Sequence, residues 1–281
     1  MSSKTPATVA FQGEPGAYSE LAAYEFFSAD VQIKPCASFS DLFAAVEQGN
    51  AQYGMAPVDN SLGGSIHPVW DLLASRTLPI AGEIQLRIQH CLIAHPGTRL
   101  QDLRRVYSHV QALAQCQAYL QNLEKVEQEE VYDTAGAVKI IKKRGNKEEA
   151  AIASVQAATN YEMAVVAENI QTDPRNFTRF LVIAHQESEF ADAKLKTTLI
   201  FALEDNARSL PQVLATFTRH RIELLKVESC KSLGHPWEYT FYLELSGSPA
   251  EPHIASALKE ALGQVKRLQL IGSYPPGHSC G

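Results

Sequence analysis

The chain is poor in the residue clusters that usually betray a chemistry. Its five cysteines, Cys36, Cys91, Cys116, Cys230 and Cys280, are odd in number, scattered, and never form a CxxC pair. That argues against a disulfide framework and against a zinc pattern, and predicts reduced thiols in a cytoplasm, most of them small apolar fillers. The nine histidines include no HExxH and no close pair, so no metal is expected. Positive charge is also scarce. With 25 Lys and Arg against 31 Asp and Glu, the formal net charge is −6, which speaks against nucleic acid and anionic membrane as partners. An anionic ligand must then be held by local groups, helix N-termini or a placed Arg. No apolar run approaches the roughly 20 residues of a membrane span. The first β-like run, Thr8 to Phe11, starts too near Met1 to leave room for a signal or transit peptide.

What is present is an ordinary globular composition, 45% hydrophobic and 20% charged, over 281 residues, enough for two cores. From Thr8 to about residue 185, short apolar runs ("TVAFQG", "YGMAPV", "RRVYSH", "EEVYD", "EAAIAS", "AVVAENI") alternate with helical stretches ("AYSELAAYEFF", "ASFSDLFAAVEQG", "QALAQCQAYLQNL", "AGAVKIIKKR", "VQAATNYEM"). That alternation predicts an α/β domain with a mostly parallel sheet over 1–185. The extended stretches near 80–95 and 177–184 read as crossings between two lobes flanking a cleft. Residues 186–196 are polar and aperiodic, a linker. Over 197–275 the order becomes βαββαβ, a ferredoxin-like α+β unit. The tail 276–281 has turn-formers and no period, and is expected to fray.

Four junctions, "QGEPGAYSE" (12–20), "PVDNSLGGS" (57–65), "SHVQALAQC" (108–116) and "DTAGAV" (133–138), place Gly or short polar residues where a strand gives way to a helix. Free N–H groups and a partial positive charge at a helix start receive anions, and such junctions gather at the carboxyl edge of parallel sheets. Simple capping is the competing reading: Ser108 with Gln111 fits a capping box, and Asp133 or Thr134 an ordinary N-cap. The segment "NFTRFLVI" (176–183) opens a buried-looking strand with a hydroxyl, a cation and a ring. In extended geometry Thr178 and Arg179 point to opposite faces, so both serve one ligand only if the backbone bends or one acts indirectly.

Taken together, "FQGEPGAYSE", "APVDNSLGGSI", "SHVQALAQC", "TAGAV", "NFTRF", "VES", "PWEYTFYLEL" and "GSYP" resemble the prephenate dehydratase family over about Val9 to Pro275. The resemblance implies a two-lobed catalytic domain like type 2 periplasmic binding proteins, followed by an ACT regulatory domain. It implies a cofactor-free lyase of L-phenylalanine biosynthesis that turns prephenate into phenylpyruvate. By the same resemblance Thr178 assists the departing hydroxyl, Arg179 holds or orients a carboxylate, and Phe180 packs near the ring. Asn60, Ser61, Gly63, Gly64, Ser108, Gln111, Thr134 and Ala135 are the candidate anion-holding residues. Ser209, Leu210, Glu228 and Ser229 mark the effector site, with L-phenylalanine as the effector and a homodimer or homotetramer as the assembly. No mutase segment precedes Thr8, so a monofunctional chain is expected.

Departures from the family pattern are specific. Asp59 stands where many relatives have Glu, and Asp133 where a Ser is common before "TAGA". The regulatory P-G-A-L loop is here Ala207-Arg208-Ser209-Leu210, and the E-S-R-P stretch is Glu228-Ser229-Cys230-Lys231. Losing that Gly removes backbone freedom from the loop. Two alternatives stay open: arogenate dehydratase, the same elimination on the transaminated substrate, and a ligand-binding sensor without catalysis.

Overall fold

The computed structural model describes residues 6–28, 30–123, 126–186, 188, 190, 194–203, 206–231 and 239–280, with backbone only for 206–208 and 231. Residues 187, 189 and 191–193 of the expected linker and Pro236–Glu238 of the "PWEYTFYLEL" motif lie outside the described residues. The strands are β1 (Thr8–Gln12), β2 (Gln32–Cys36), β3 (Tyr53–Asn60), β4 (Gly64–Ser65), β5 (Ile80–Arg87), β6 (Cys91–Ala94), β7 (Arg105–Ser108) and β8 (Glu127–Glu130). They continue with β9 (Glu149–Ala153), β10 (Ala164–Ala167), β11 (Phe177–Ala184), β12 (Lys196–Ala202), β13 (Leu224–Lys231), β14 (Tyr239–Ser246), β15 (Arg267–Tyr274) and β16 (Ser279–Cys280). The helices are α1 (Tyr18–Phe27), α2 (Phe39–Glu47), α3 (His67–Ser75), α4 (Val110–Gln115), α5 (Gln117–Leu120), α6 (Thr134–Arg144), α7 (Val155–Asn160), α8 (Asn206–Arg219) and α9 (Pro252–Leu262).

They build three sheets. The first has the order β16-β5-β11-β3-β1-β2 with β4 on β3, the second β10-β6-β9-β7-β8, and the third β13-β14-β12-β15. The α/β expectation holds, but the sheets are not as parallel as the alternation implied. β1 pairs in parallel with β2 and β3, and β7 with β8 and β9, whereas β6 runs antiparallel to β9 and β10. β5 and β6 belong to one extended stretch that leaves the first sheet and enters the second, so β6 arrives without a crossover helix to reverse it.

The chain forms two compact units. One holds the chain up to Ile66, Ile84–Phe180 and Ser279 onward; the other holds His67–Glu83 and Leu181–His278. In the first unit Val9, Phe11, Leu42, Phe43, Met55 and Val58 fill one core, and Leu92, Val106, Leu113, Ala150 and Ile152 the second. In the second unit β12-α8-β13-β14-α9-β15 makes the βαββαβ sheet. Leu199, Phe201, Val213, Phe217, Leu243 and Ile254 form its core.

Two local expectations change. The tail does not fray: Ser279 and Cys280 pair in parallel with Gln85 and Leu86 of β5. The stretch from Ala207 to Leu210 is not a loop but the first turn of α8. With no Gly to break it, helical geometry continues until Pro211 lies inside the helix.

Candidate active site

A cavity of about 510 Å³ lies within the first unit, large enough for a ligand of a dozen or so heavy atoms. Four helix starts line it: Ala17, Tyr18 and Ser19 of α1; Ser38 and Phe39 of α2; His109, Gln111 and Ala112 of α4; Asp133 and Thr134 of α6. Among the described residues lining it there is no Lys or Arg. Positive potential comes from helix N–H groups, the local solution that the low overall charge called for. Three of the four junctions singled out from sequence are such starts. The fourth, "PVDNSLGGS", is a β-hairpin in which Asp59 opposes Ser65 and Asn60 opposes Gly64. The α2 start, capped by Ser38 accepting from the Asp41 N–H at 3.1 Å, was missed as a pocket element.

Asn60 organises the floor. Its Oδ1 accepts the backbone N–H of Leu62 at 3.1 Å and of Gly63 at 2.7 Å, so that atom is the oxygen and Nδ2 the donor. Nδ2 then donates to Asn176 Oδ1 (2.8 Å), Thr178 Oγ1 (3.0 Å) and Phe177 O (3.2 Å). Because Thr178 Oγ1 accepts from Asn60, its own hydrogen is left for the cavity that Thr178 lines. The same logic runs outward. Asn176 Nδ2 donates to Gln115 Oε1 at 2.9 Å, so His90 Nε2, 2.9 Å from that oxygen, carries a hydrogen. His90 is 2% exposed, and burial, only partly offset by the Gln115 contact, lowers its pKa. The neutral ring therefore presents a bare Nδ1 to the Tyr18 hydroxyl at 2.8 Å, whose one hydrogen it shares with Gln89 O at 2.9 Å. Burial also pushes the Tyr18 hydroxyl well above its ordinary pKa, which keeps it a donor.

The strand geometry resolves the Thr-Arg-Phe question. Thr178 and Phe180 share one face of β11 and line the cavity; Arg179 takes the other face and does not. Its Nη1 lies 3.3 Å from Asp59 Oδ2 on β3, an ion pair behind the floor. The shorter Asp59 thus meets the Arg, and Arg179 stands behind the cavity wall rather than in it.

Of the other candidates, Asn60, Gln111 and Thr134 line the cavity. Ser61 instead pins the hairpin: its Oγ donates to Arg175 O at 2.8 Å and accepts from Phe177 N at 2.9 Å. A Cβ on Gly63 would stand 2.0 Å from Gln111 Nε2, so the missing side chain makes room for Gln111. Gly64 has φ +77 and open space around it, so its role is the turn. Ser108 is fully buried and donates to Ile152 O at 2.6 Å; the N-cap of α4 is His109, accepting from Gln111 N, not a Ser108 capping box. Ala135 is fully buried behind the α6 start. Asp133, not Thr134, caps α6, accepting from Gly136 N at 2.8 Å, and burial raises its carboxyl pKa. In the second unit, Ser209 and Leu210 lie on α8. Ser229 faces the α8 side of its sheet and Glu228 the other, where Lys226 pairs with it at 2.9 Å.

His90 and Tyr132 line the cavity from outside the four junctions, and Tyr18 and Gln115 line it from within them without having been named individually. His90 carried a signal, a polar ring inside an otherwise apolar extended run. Gln115 carried a fainter one, four residues after Gln111 on the same helix.

Comparison with known proteins decides the family. The prephenate dehydratase family model matches residues 9–188. The chain belongs to the prephenate dehydratase family. Arogenate dehydratase/prephenate dehydratase 2 of Arabidopsis thaliana, a chloroplastic protein, is 40% identical over 277 residues, covering 95% of this chain and 72% of its own length. The prephenate dehydratase of Arthrobacter aurescens, solved in complex with L-Phe, superposes with a TM-score of 0.87 at 27% identity, covering 95% of this chain and 90% of that one. GqqA, described as a novel type of quorum quenching acylase, superposes with a TM-score of 0.86 at 31% identity over 96% and 98% of the two chains. This prephenate dehydratase family member is accordingly a lyase of the hydro-lyase class.

Proposed function

We propose that the chain converts prephenate to phenylpyruvate, carbon dioxide and water, a step of L-phenylalanine biosynthesis. The observation that carries this reading is the Thr178 hydroxyl, fed by Asn60 so that its hydrogen faces a cavity ringed by helix starts. Prephenate is a dianion. Its ring carboxylate leaves as carbon dioxide, the freed electron pair enters the ring, and the C4–O bond breaks as the ring becomes aromatic. The departing hydroxyl gains negative charge and takes up a proton to leave as water. Thr178 donates a hydrogen bond to that oxygen, a contact that strengthens in the transition state. Thr is too weak an acid to be the final proton source, so it is a positioned donor that relays from water. The helix starts hold the carboxylates in line, and Phe180 supports the flat ring.

Asp133 favours a second substrate of the same chemistry. A carboxylate at the α6 start repels a keto acid's charge but suits the ammonium group of arogenate, and the Arabidopsis relative bears both names. An acylase reading rests on the likeness to GqqA alone. Among the described residues no Ser or Thr hydroxyl lining the cavity hydrogen-bonds a histidine, which hydrolysis by a hydroxyl nucleophile needs. The βαββαβ sheet, read as an ACT domain, makes L-phenylalanine feedback and a homodimer or homotetramer part of the proposal, supported by the L-Phe complex of the Arthrobacter protein. The cytoplasm is the proposed compartment. Comparing kcat/KM on prephenate and arogenate, with and without L-phenylalanine, tests the reading. Turnover of neither substrate overturns it.

A further inference from the structure

We propose that His67, Glu228 and Cys230 form a binding site for a divalent metal of the zinc class, tying α3 to β13 within the second unit. His67 is far in sequence from Glu228 and Cys230, which is why no metal pattern is visible there, yet one ligand atom from each lies within 4.8 Å of the others. His67 opens α3, and its Nδ1 stands 3.0 Å from Cys230 Sγ. Glu228 and Cys230 alternate on β13 and so present their side chains to one face.

The chemistry of the set selects the ion. An imidazole nitrogen, a thiolate and a carboxylate suit Zn²⁺ or Co²⁺, whereas Mg²⁺ and Ca²⁺ take oxygen shells. Metal–ligand bonds of about 2.0–2.3 Å in a tetrahedron put ligand atoms roughly 3.3–3.6 Å apart. The existing spread of up to 4.8 Å needs a contraction on the order of 1 Å, within side-chain rotation. Lys226 Nζ holds Glu228 Oε2 at 2.9 Å while standing 5.0 Å over the Trp70 ring, which leaves the other carboxylate oxygen for the ion. Three protein ligands leave a fourth position for water. Tyr242, directly opposite Glu228 on β14, is fully buried, and its hydroxyl has no hydrogen-bond partner among the described residues. Cys230 is 6% exposed, so a thiolate there requires a cation beside it. The ion supplies one, and its binding releases the thiol proton to solvent.

The test is titration of purified, chelator-stripped full-length protein with Co²⁺. The expected result is a thiolate-to-cobalt charge-transfer band saturating at one ion per chain, displaced by Zn²⁺. Cys230→Ser abolishes the band, His67→Asn and Glu228→Gln each weaken binding by about tenfold or more, and Cys280→Ser leaves it unchanged. Zn²⁺ raises Tm in the parent protein and not in Cys230→Ser. Should Cys230→Ser not fold, His67→Asn and Glu228→Gln carry the test. No band at millimolar Co²⁺, or a band that survives loss of these ligands, overturns the proposal.

Discussion

Replacing Thr178 by Val keeps the shape and β-branching of the side chain and removes only the hydroxyl. The structure makes the stability cost small. Asn60 Nδ2, which donates to Thr178 Oγ1, retains Asn176 Oδ1 at 2.8 Å and Phe177 O at 3.2 Å, so no buried donor is orphaned. One net hydrogen bond is lost, about 1 kcal/mol or less. The catalytic cost is larger, because the lost donor faces a hydroxyl that gains charge only as it leaves. A preorganised donor of that kind is worth about 2.7–4 kcal/mol, or roughly 10²–10³ in kcat. Steady-state phenylpyruvate formation should therefore show kcat falling by that factor with KM little changed, and thermal melts should be nearly superimposable. Thr178→Ser should recover much of the loss. A variant with intact kcat and raised KM, or one that loses activity only by unfolding, would refute the reasoning.

Other expectations follow from neighbouring groups. His90→Phe frees Gln115 from one of its anchors and should lower kcat more than His90→Gln, whose amide can still donate to Gln115 Oε1. The sign of its pH effect is fixed by burial. A histidine whose folded pKa lies below its unfolded value costs stability as pH falls through about 6.5 and below, so urea titrations at several pH values should show a shallower acid slope for His90→Phe. Asp133→Ser keeps a cap for Gly136 N and removes a like charge; KM for prephenate should fall several-fold at neutral pH. That advantage should shrink as pH drops towards the raised pKa of Asp133, where the parent carboxyl is also neutral, whereas KM for arogenate should rise. Lys196 lies buried between Glu83 and Glu244, 2.9 Å from each; Lys196→Met removes the cation that neutralises two buried carboxylates, Glu83 keeping the Gly277 N–H at 2.8 Å, and should cost about 3–5 kcal/mol in urea denaturation.

Much of this was legible before any coordinates. The alternation of apolar runs and helical stretches carries the α/β architecture, and the late change of order carries the βαββαβ sheet, because both follow from local periodicity. The residue types at the helix starts pointed to anion binding for the same reason. What local pattern could not carry is pairing between distant segments. Arg179 looked like a ligand-holding cation until Asp59, on a neighbouring strand, took it. Ser108 looked like a cap, but β9 offers it the carbonyl of Ile152. Asn60 was a candidate among eight anion-holding residues, and nothing local marks it as the group that orients Thr178 and, through Asn176 and Gln115, sets the tautomer of His90. The alternation of β11 did allow one exclusion from sequence: Thr178 and Arg179 could not both face one ligand on a straight strand.

The central claim is that a cavity ringed by helix starts binds a ring dianion while Thr178 assists departure of its hydroxyl. The most direct test uses prephenate labelled in its ring carboxylate, counting released carbon dioxide against phenylpyruvate formed by the purified protein. The account predicts saturable, equimolar release of both. Saturable binding of prephenate with no labelled carbon dioxide would contradict it.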